Sequence, residues 1–521
     1  MKKIFIILAI GVAATLSSCL KDAEVTSSMT QASKDQLTSD DPIKMYEAAL
    51  VSQYVNMQSY VYSNLSHNYF GQKSFDYLTS LMGNDLCMTG QYGMSLYHYL
   101  LDYWQRNYAP SANRWKQYYQ HITEANIMLE DLAKAEVTPQ LSYFKAAALT
   151  ARAYAYLHLS YLYGLPYYMG AEDTIWGMNT VYSGSNADAP CVPLMLEGDQ
   201  ATNDREATLK ARATVGEVMT QIVKDLEGAL ELYAAAGKLH TADPCDFDGM
   251  VAANYLMRAH MLMHEWKKAE DVSKLIVDNV PLATAAQLMQ GFSDISLPNI
   301  VMGCDITADN SGVYMSWFSQ MDMFGAGYAA NGVARVADNR LIAAISDTDI
   351  RLDWFWTSRN LQKLGAEFGA VYAQYYNQSL KFIGAGRSNP FGSWHLGDYI
   401  YLRSEEAHFV YAEALAHQGK LTEAVEVLTN LMTIRDANYA FPYNLTKEEV
   451  IYEINLQKRI EFWGEGIEYL DNRRLNIPVN RLYQGTNHPT WLNVTGQESE
   501  CFVYEIPLLE TQYNPELKDI Y

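Results

Sequence analysis

Between Arg403 and Arg474 apolar residues return every three to four positions with more regularity than elsewhere in the chain, and this spacing restricts the fold most. The run Glu405-Glu406-Ala407-His408-Phe409-Val410-Tyr411-Ala412-Glu413-Ala414-Leu415 predicts a core-facing helix. After Gly419 the pattern resumes through Leu421, Ala424, Val425, Leu428, Leu431 and Met432. Two helices joined by so short a turn must lie antiparallel.

Gly419, Leu421 and Ala424 stand where a tetratricopeptide-type helix pair has its turn glycine, its bulky packing residue and its small crossing residue. His264, Trp266, Ala269, Ser273 and Ile276 repeat the spacing and run to a helix stop at Pro281. The following run, Gln457-Lys458-Arg459-Ile460-Glu461-Phe462-Trp463-Gly464-Glu465-Gly466 and then Tyr469 to Arg474, taken with 403–435, resembles the C-terminal half of the SusD/RagB family. Three further segments are similar to that family: Trp115, Tyr119, Ile122, Ala125, Asn126 and Leu129; Phe144 to Tyr163 with its Gly164-Leu165-Pro166 stop; and Cys191-Val192-Pro193. The ending Tyr504 to Glu510 and Asn514-Pro515-Glu516-Leu517 also resembles it, whereas Leu149-Thr150 departs from the charged helix face usual there.

The expectation is an all-α, α-rich chain: a scaffold of about four tetratricopeptide-like helix pairs near 43–66, 112–164, 214–281 and 403–474. Thr214 and Glu217 have the spacing of a capping box. Loop-rich stretches near 84–110, 172–212 and 282–401 would form the ligand face of one domain spanning 43–521. With 49% hydrophobic residues the chain can bury a sizeable core without disulfides. Beyond Cys19 its cysteines, Cys87, Cys191, Cys245, Cys304 and Cys501, show neither a disulfide framework nor zinc spacing.

Lys2-Lys3, the apolar run Ile4 to Leu16 and the sequence Leu16-Ser17-Ser18-Cys19 read as a signal peptide over 1–18. That run is shorter than the roughly 20 residues a spanning helix needs. The small residues before Cys19 resemble a bacterial lipobox, which would leave Cys19 as a lipidated N-terminus held by several acyl chains. Lys21-Asp22-Ala23-Glu24 resembles an acidic tag for the outer face of the outer membrane, and the polar stretch 19–42 reads as a tether. A net charge of −22 with no run of more than two basic residues argues against a nucleic-acid partner.

Paired acids at Glu405/Glu406 and Glu461/Glu465 raise the possibility of a glycosidase, which needs two carboxylates at a fixed separation. Arg459, Arg473 and Arg474 lie close by in sequence, and ion pairing that orients helices is the simpler reading. No metalloprotease, nucleophile-elbow or phosphate-loop motif occurs. His264 and His408 read as structural histidines, and the acids Asp305 and Asp309 with Asn310 lack the spacing of a calcium hand, so neither a metal nor a cofactor is expected.

Family resemblance implies a non-catalytic surface lipoprotein that captures oligosaccharides and passes them to a partner SusC-like TonB-dependent barrel. Peptide capture by a RagB-like lid is the first alternative, and a surface glycoside hydrolase the second. Sugar rings would stack on Trp104 and on Trp317, Trp354 or Trp356, with Asp85 as a hydrogen-bond partner. Trp354 and Trp356, two residues apart, would face one side of an extended segment.

Overall fold

Helix α1, Pro42–Gln58, is the first described element in a computed structural model that describes residues 42–58, 69–90, 99, 106–107, 109–135, 138–171, 181–199, 209–369, 375–388, 392–489, 495–497 and 503–517. The chain divides into two units, 1–49 and 50–521. Only 42–49 of the first is described, so the signal segment, the tether and Cys19 lie outside the described residues.

In the second unit a short helix α2, Gln72–Ser80, precedes strand β1, Leu86–Met88, and then two long helices, α3 (Ala109–Leu132) and α4 (Pro139–Tyr163). Thr138 starts α4 by accepting from Leu141 N at 3.2 Å, and Pro139 takes a first-turn position where its missing N–H costs nothing. Buried alanines on α4, Ala146 to Ala148, Ala151, Ala153 and Ala155, carry little bulk, so α4 packs closely against α3 on one side and α5, Val215–Ala236, on the other. Arg152 ties the three together: it donates to both carboxylate oxygens of Asp225 on α5 at 2.7 Å and to Asn126 Oδ1 on α3 at 2.9 Å.

Strands β2 (Tyr168–Ala171) and β3 (Val181–Ser185) form a hairpin between α4 and α5. Helix α5 begins with the capping box expected from sequence, Thr214 accepting from Glu217 N at 3.1 Å and Glu217 accepting from Thr214 N at 2.8 Å. The stack continues through α6 (Gly249–Leu262) and α7 (Trp266–Asn279), which buries Ala269, Ser273 and Ile276.

Strand β4, Ile300–Cys304, helix α8, Trp317–Met321, strand β5, Arg335–Ala337, strand β6, Phe355–Trp356, helix α9, Leu361–Phe368, and strand β7, Gln378–Ser379, follow in the glycine-rich stretch. A four-stranded antiparallel sheet in the order β1-β5-β7-β6 draws the 86–88 segment to this region. β8, Tyr399–Arg403, pairs with β4 and leads into α10, Glu405–His417, which packs against α7. The last scaffold helices are α11 (Leu421–Met432), α12 (Lys447–Glu461) and α13 (Ile467–Arg474), with α14, Leu508–Tyr513, in the tail.

The helix-pair expectation for 403–432 is thus met by α10 and α11, with Ala424 fully buried at the crossing and Gly419 at φ 78 in the turn. His264 holds the matching position before α7 at φ 55, a left-handed conformation that costs an L-residue about 1–2 kcal/mol. Its ring is stacked on both sides: Tyr168 lies 4.0 Å and Trp266 4.6 Å away by ring centroids, and Trp266 stacks in turn on His417 at 3.8 Å. Three separate segments are joined by these four rings. Among the described residues no helix is long and apolar enough to cross a membrane.

Candidate functional site

The acids singled out in the sequence lie in the interior. Glu461 is fully buried and accepts from Arg403 at 2.8 Å and from Arg435 at 2.9 and 3.1 Å, with Arg351 at 3.4 Å. Glu465 accepts from Arg403 at 2.9 and 3.1 Å and from Lys381 at 2.6 Å. Burial pushes the Glu465 carboxyl up, but Arg403 and Lys381 outweigh it and hold the group down at about 2. Burial likewise draws the Lys381 ammonium down to about 8, against the pull of Glu465. Glu406 forms a two-pronged pair with Arg258, both bonds 2.7 Å, and Glu405 accepts from Asn299 at 3.0 and 3.1 Å.

Ion pairing is therefore the role of Glu406, Glu461 and Glu465, but the partners of Glu461 and Glu465 are not Arg459, Arg473 and Arg474, the arginines named beside them in the sequence. Arg459 bonds Asp85, Arg474 bonds Glu413 at 2.7 and 3.0 Å, and Arg473 donates to backbone carbonyls of Tyr161 and Gly164. Successive helical residues point in different directions, so each meets a segment remote in sequence.

Four expected ligand contacts are corrected by the same geometry. Asp85 is buried, its carboxylate is engaged by Arg459 at 2.8 Å, and its carbonyl accepts from Trp463 Nε1 at 2.8 Å. Trp317 meets Phe382 edge-on at 5.2 Å and has the Lys73 ammonium 4.7 Å above its ring. Trp354 donates from Nε1 to Leu288 O at 3.1 Å, under Phe292 and Lys381. Trp356 belongs to an apolar cluster with Met323, Phe324, Leu364, Phe368, Leu380 and Ile383. At 2%, 1% and 1% exposure none of the three indoles presents a face to a ligand. Trp354 closes a 3-10 turn, Ile350–Trp354, rather than standing in an extended pair with Trp356. Trp104 lies outside the described residues.

None of these buried groups lines the open groove of the loop-rich stretch. An open cavity of about 970 Å³ runs across the loop-rich stretch, with Gln290, Ser293 and Asp294 on one side, Lys363 and Glu367 of α9 on another, and Gly384 to Ser388 and Ser393 closing it. Leu364 and Phe368 turn inward from α9 while Lys363 and Glu367 face out, an amphipathic split that places charge on the groove side. Trp354, bonded to Leu288, ties the 3-10 turn carrying Asp353 to the chain just before Met289 and Gln290. Gly386, at φ 73, makes the sharp turn of the opposite wall, where Gly386 N donates to Ile383 O at 2.9 Å and Arg387 N to Gln290 O at 3.1 Å.

The groove carries hydroxyls, a primary amide and charges of both signs. Lys363 is paired with Asp353, and Arg387 donates to Glu367 at 2.9 Å while lying over the Phe368 ring at 4.8 Å. Asp353 and Glu367 thus stand as ion-paired carboxylates, suited to hydrogen-bonding a polyhydroxylated or amide-bearing ligand. Beside it, on the 3-10 turn Trp394–Leu396, the Trp394 side chain is half-buried, and the exposed Tyr314 ring lies 5.8 Å away. Trp394 is not among the residues singled out from the sequence; its setting in Gly392-Ser393-Trp394-His395, away from any helical period, is the signal that could have found it. A second open cavity, about 640 Å³, lies along α3 and the tail, with Trp115, Tyr119 and Tyr513 in its walls.

Cys87, Asp338 and His488 are the one group among the described residues that brings three metal-binding side chains together. Their donors already serve the protein: His488 Nε2 lies 3.0 Å from Asn84 O and 3.2 Å from Asp338, Tyr99 bonds its Nδ1, and burial pushes the Cys87 thiol up.

Residues 30–241 match the family model SusD-like_3, described as starch-binding associating with outer membrane. No curated protein matches. Among solved structures, a SusD-like carbohydrate binding protein from Bacteroides vulgatus is 22% identical with a TM-score of 0.72, covering 91% of this chain and 97% of its own. A SusD superfamily protein from Bacteroides thetaiotaomicron is 17% identical at a TM-score of 0.71, covering 91% and 99%. A putative sugar binding protein from Bacteroides vulgatus is 19% identical at 0.69, covering 91% and 97%.

Proposed function

Because the chain is SusD-like in sequence over residues 30–241 and in fold over 91% of its length, we propose that it is a non-catalytic surface lipoprotein that captures oligosaccharides for an outer-membrane transporter. The observation that carries this reading is the 970 Å³ groove, set in the loop-rich stretch and lined by hydroxyl, amide and charged groups. Cys19 is the lipid-bearing residue, anchoring the chain to the outer membrane, and the partner is a SusC-like TonB-dependent barrel that receives the ligand. Gln290, Ser293, Asp294 and Ser393 hydrogen-bond the sugar hydroxyls, with Trp394 and Trp104 offering ring faces to the C–H side of a pyranose.

A glycosidase finds little support in the acid pairs, since Glu461 and Glu465 are buried among guanidinium and ammonium groups and held ionised, which leaves no proton for a leaving group. Peptide capture is favoured by one feature, the alternation of Lys363, Asp353, Glu367 and Arg387 around the groove. Parallel glycan and peptide arrays probed with the purified chain separate the two. The reading expects saturable signal on glycans alone; signal confined to peptides would transfer the groove to the second reading, and shortened glycans would establish turnover.

A further inference from the structure

Inside the scaffold, away from the open groove, is a small cavity of about 40 Å³ whose walls include Gln72, Phe75, Arg114, Tyr118, His158 and Tyr255. Arg114 is fully buried on α3, and its Nε and both terminal nitrogens have no hydrogen-bond partner. The guanidinium lies between two rings, 4.8 Å from Phe75 and 5.0 Å from Tyr504. Such cation–π contacts offset part of a charge's desolvation but satisfy none of its N–H donors in the plane of the group.

The other charges around the cavity have counterions. Asp76 accepts from Gln72 at 2.8 Å and pairs with Lys73 at 3.3 Å; Arg258 is clamped by Glu406; Glu465 is held by Lys381 and Arg403. Arg114 is the charge left over. An arginine stays protonated in a protein, and a buried cation with neither a counterion nor acceptors for its N–H groups is strongly unfavourable.

We propose that this cavity is an anion site in which a single halide ion, chloride under ordinary conditions, sits against the Arg114 guanidinium. The volume admits about three water-sized particles, enough for one halide and a water or two, but not for a hydrated oxyanion. The ion neutralises the one uncompensated charge and accepts the in-plane N–H groups that the flanking rings cannot. It also joins elements distant in sequence: Phe75 belongs to α2, Arg114 to α3 and Tyr255 to α6. The bound halide is thus a structural ion that ties α2 and α6 to α3.

The test uses the full mature chain. Crystals grown in sodium bromide are measured at the bromine absorption edge, and melting temperature is compared in chloride and gluconate at equal ionic strength. The proposal expects an anomalous peak at Arg114 and a melting temperature about 1–2 °C higher in chloride, the shift for an ion near ten times its Kd in a chain of this size. Arg114→Met should abolish both the peak and the salt difference, while Arg114→Lys should keep the difference in part. Should the methionine variant fail to fold, the wild-type anomalous map decides alone. Water-like density without anomalous signal, together with equal melting temperatures in the two salts, would overturn the proposal.

Discussion

Glu461 shows how much of the interior rests on single side chains. It accepts from three arginines at near-zero exposure, so Glu461→Gln would leave Arg351, Arg403 and Arg435 crowded around a neutral amide. Breaking a buried pair by removing one partner costs about 3–5 kcal/mol. Urea denaturation should report a loss of that order, and a loss below 1 kcal/mol would mean that the network is hydrated in solution. Glu465 adds a pH dependence: its folded-state carboxyl lies near 2, below the ordinary 4.5, so its contribution is complete above about 4.5 and is lost as pH falls toward 2. Glu465→Gln should flatten the acid limb of the stability profile, a change readable from melting temperatures across that window. The tryptophans make the opposite lesson concrete. Their loop setting suggested exposure, yet Trp356→Ala should cost about 3–5 kcal/mol of stability as a core truncation and leave ligand affinity of the folded protein unchanged. A residue's class and its neighbours in sequence do not say whether a loop folds over it, and for Trp317, Trp354 and Trp356 the loop does.

At the scale of elements the sequence was far more legible. The capping box of α5, the pairing of α10 with α11 and the small residues Ala269 and Ala424 at helix crossings are all local or periodic signals, and all three are present in the fold. Charge partners were not legible, because periodicity tells which face of a helix is buried but not which distant segment arrives there: Arg459 and Asp85 are 374 positions apart. The two matching turns permit a direct comparison. Gly419→Ala would meet open space, since no atom lies within 4 Å of the added Cβ, so its cost should be the backbone term alone, about 1–2 kcal/mol at φ 78. His264→Gly removes that same backbone cost but loses stacking on Tyr168 and Trp266, each worth about 0.5–1.5 kcal/mol. The histidine variant should therefore be neutral to mildly destabilising; a gain of 1 kcal/mol or more would show that the ring stack adds nothing.

For the molecule as a whole, the proposed lipid anchor and the groove are tested by separate experiments. Cys19→Ala should release the mature chain from membranes into a soluble fraction without altering its melting temperature, and persistent membrane association would refute lipidation at that residue. The central claim is that the groove between Gln290 and Leu396 captures oligosaccharide. Calorimetric titration of the best glycan from an array into wild type, Asp294→Ala and Trp394→Ala tests it most directly. Both positions are at least partly open to solvent, so the fold should survive substitution. The account predicts saturable binding by wild type and a drop of about 2- to 10-fold for each variant, in line with one lost hydrogen bond or one lost ring contact. Wild-type affinity in both variants, with unchanged melting temperatures, would contradict it.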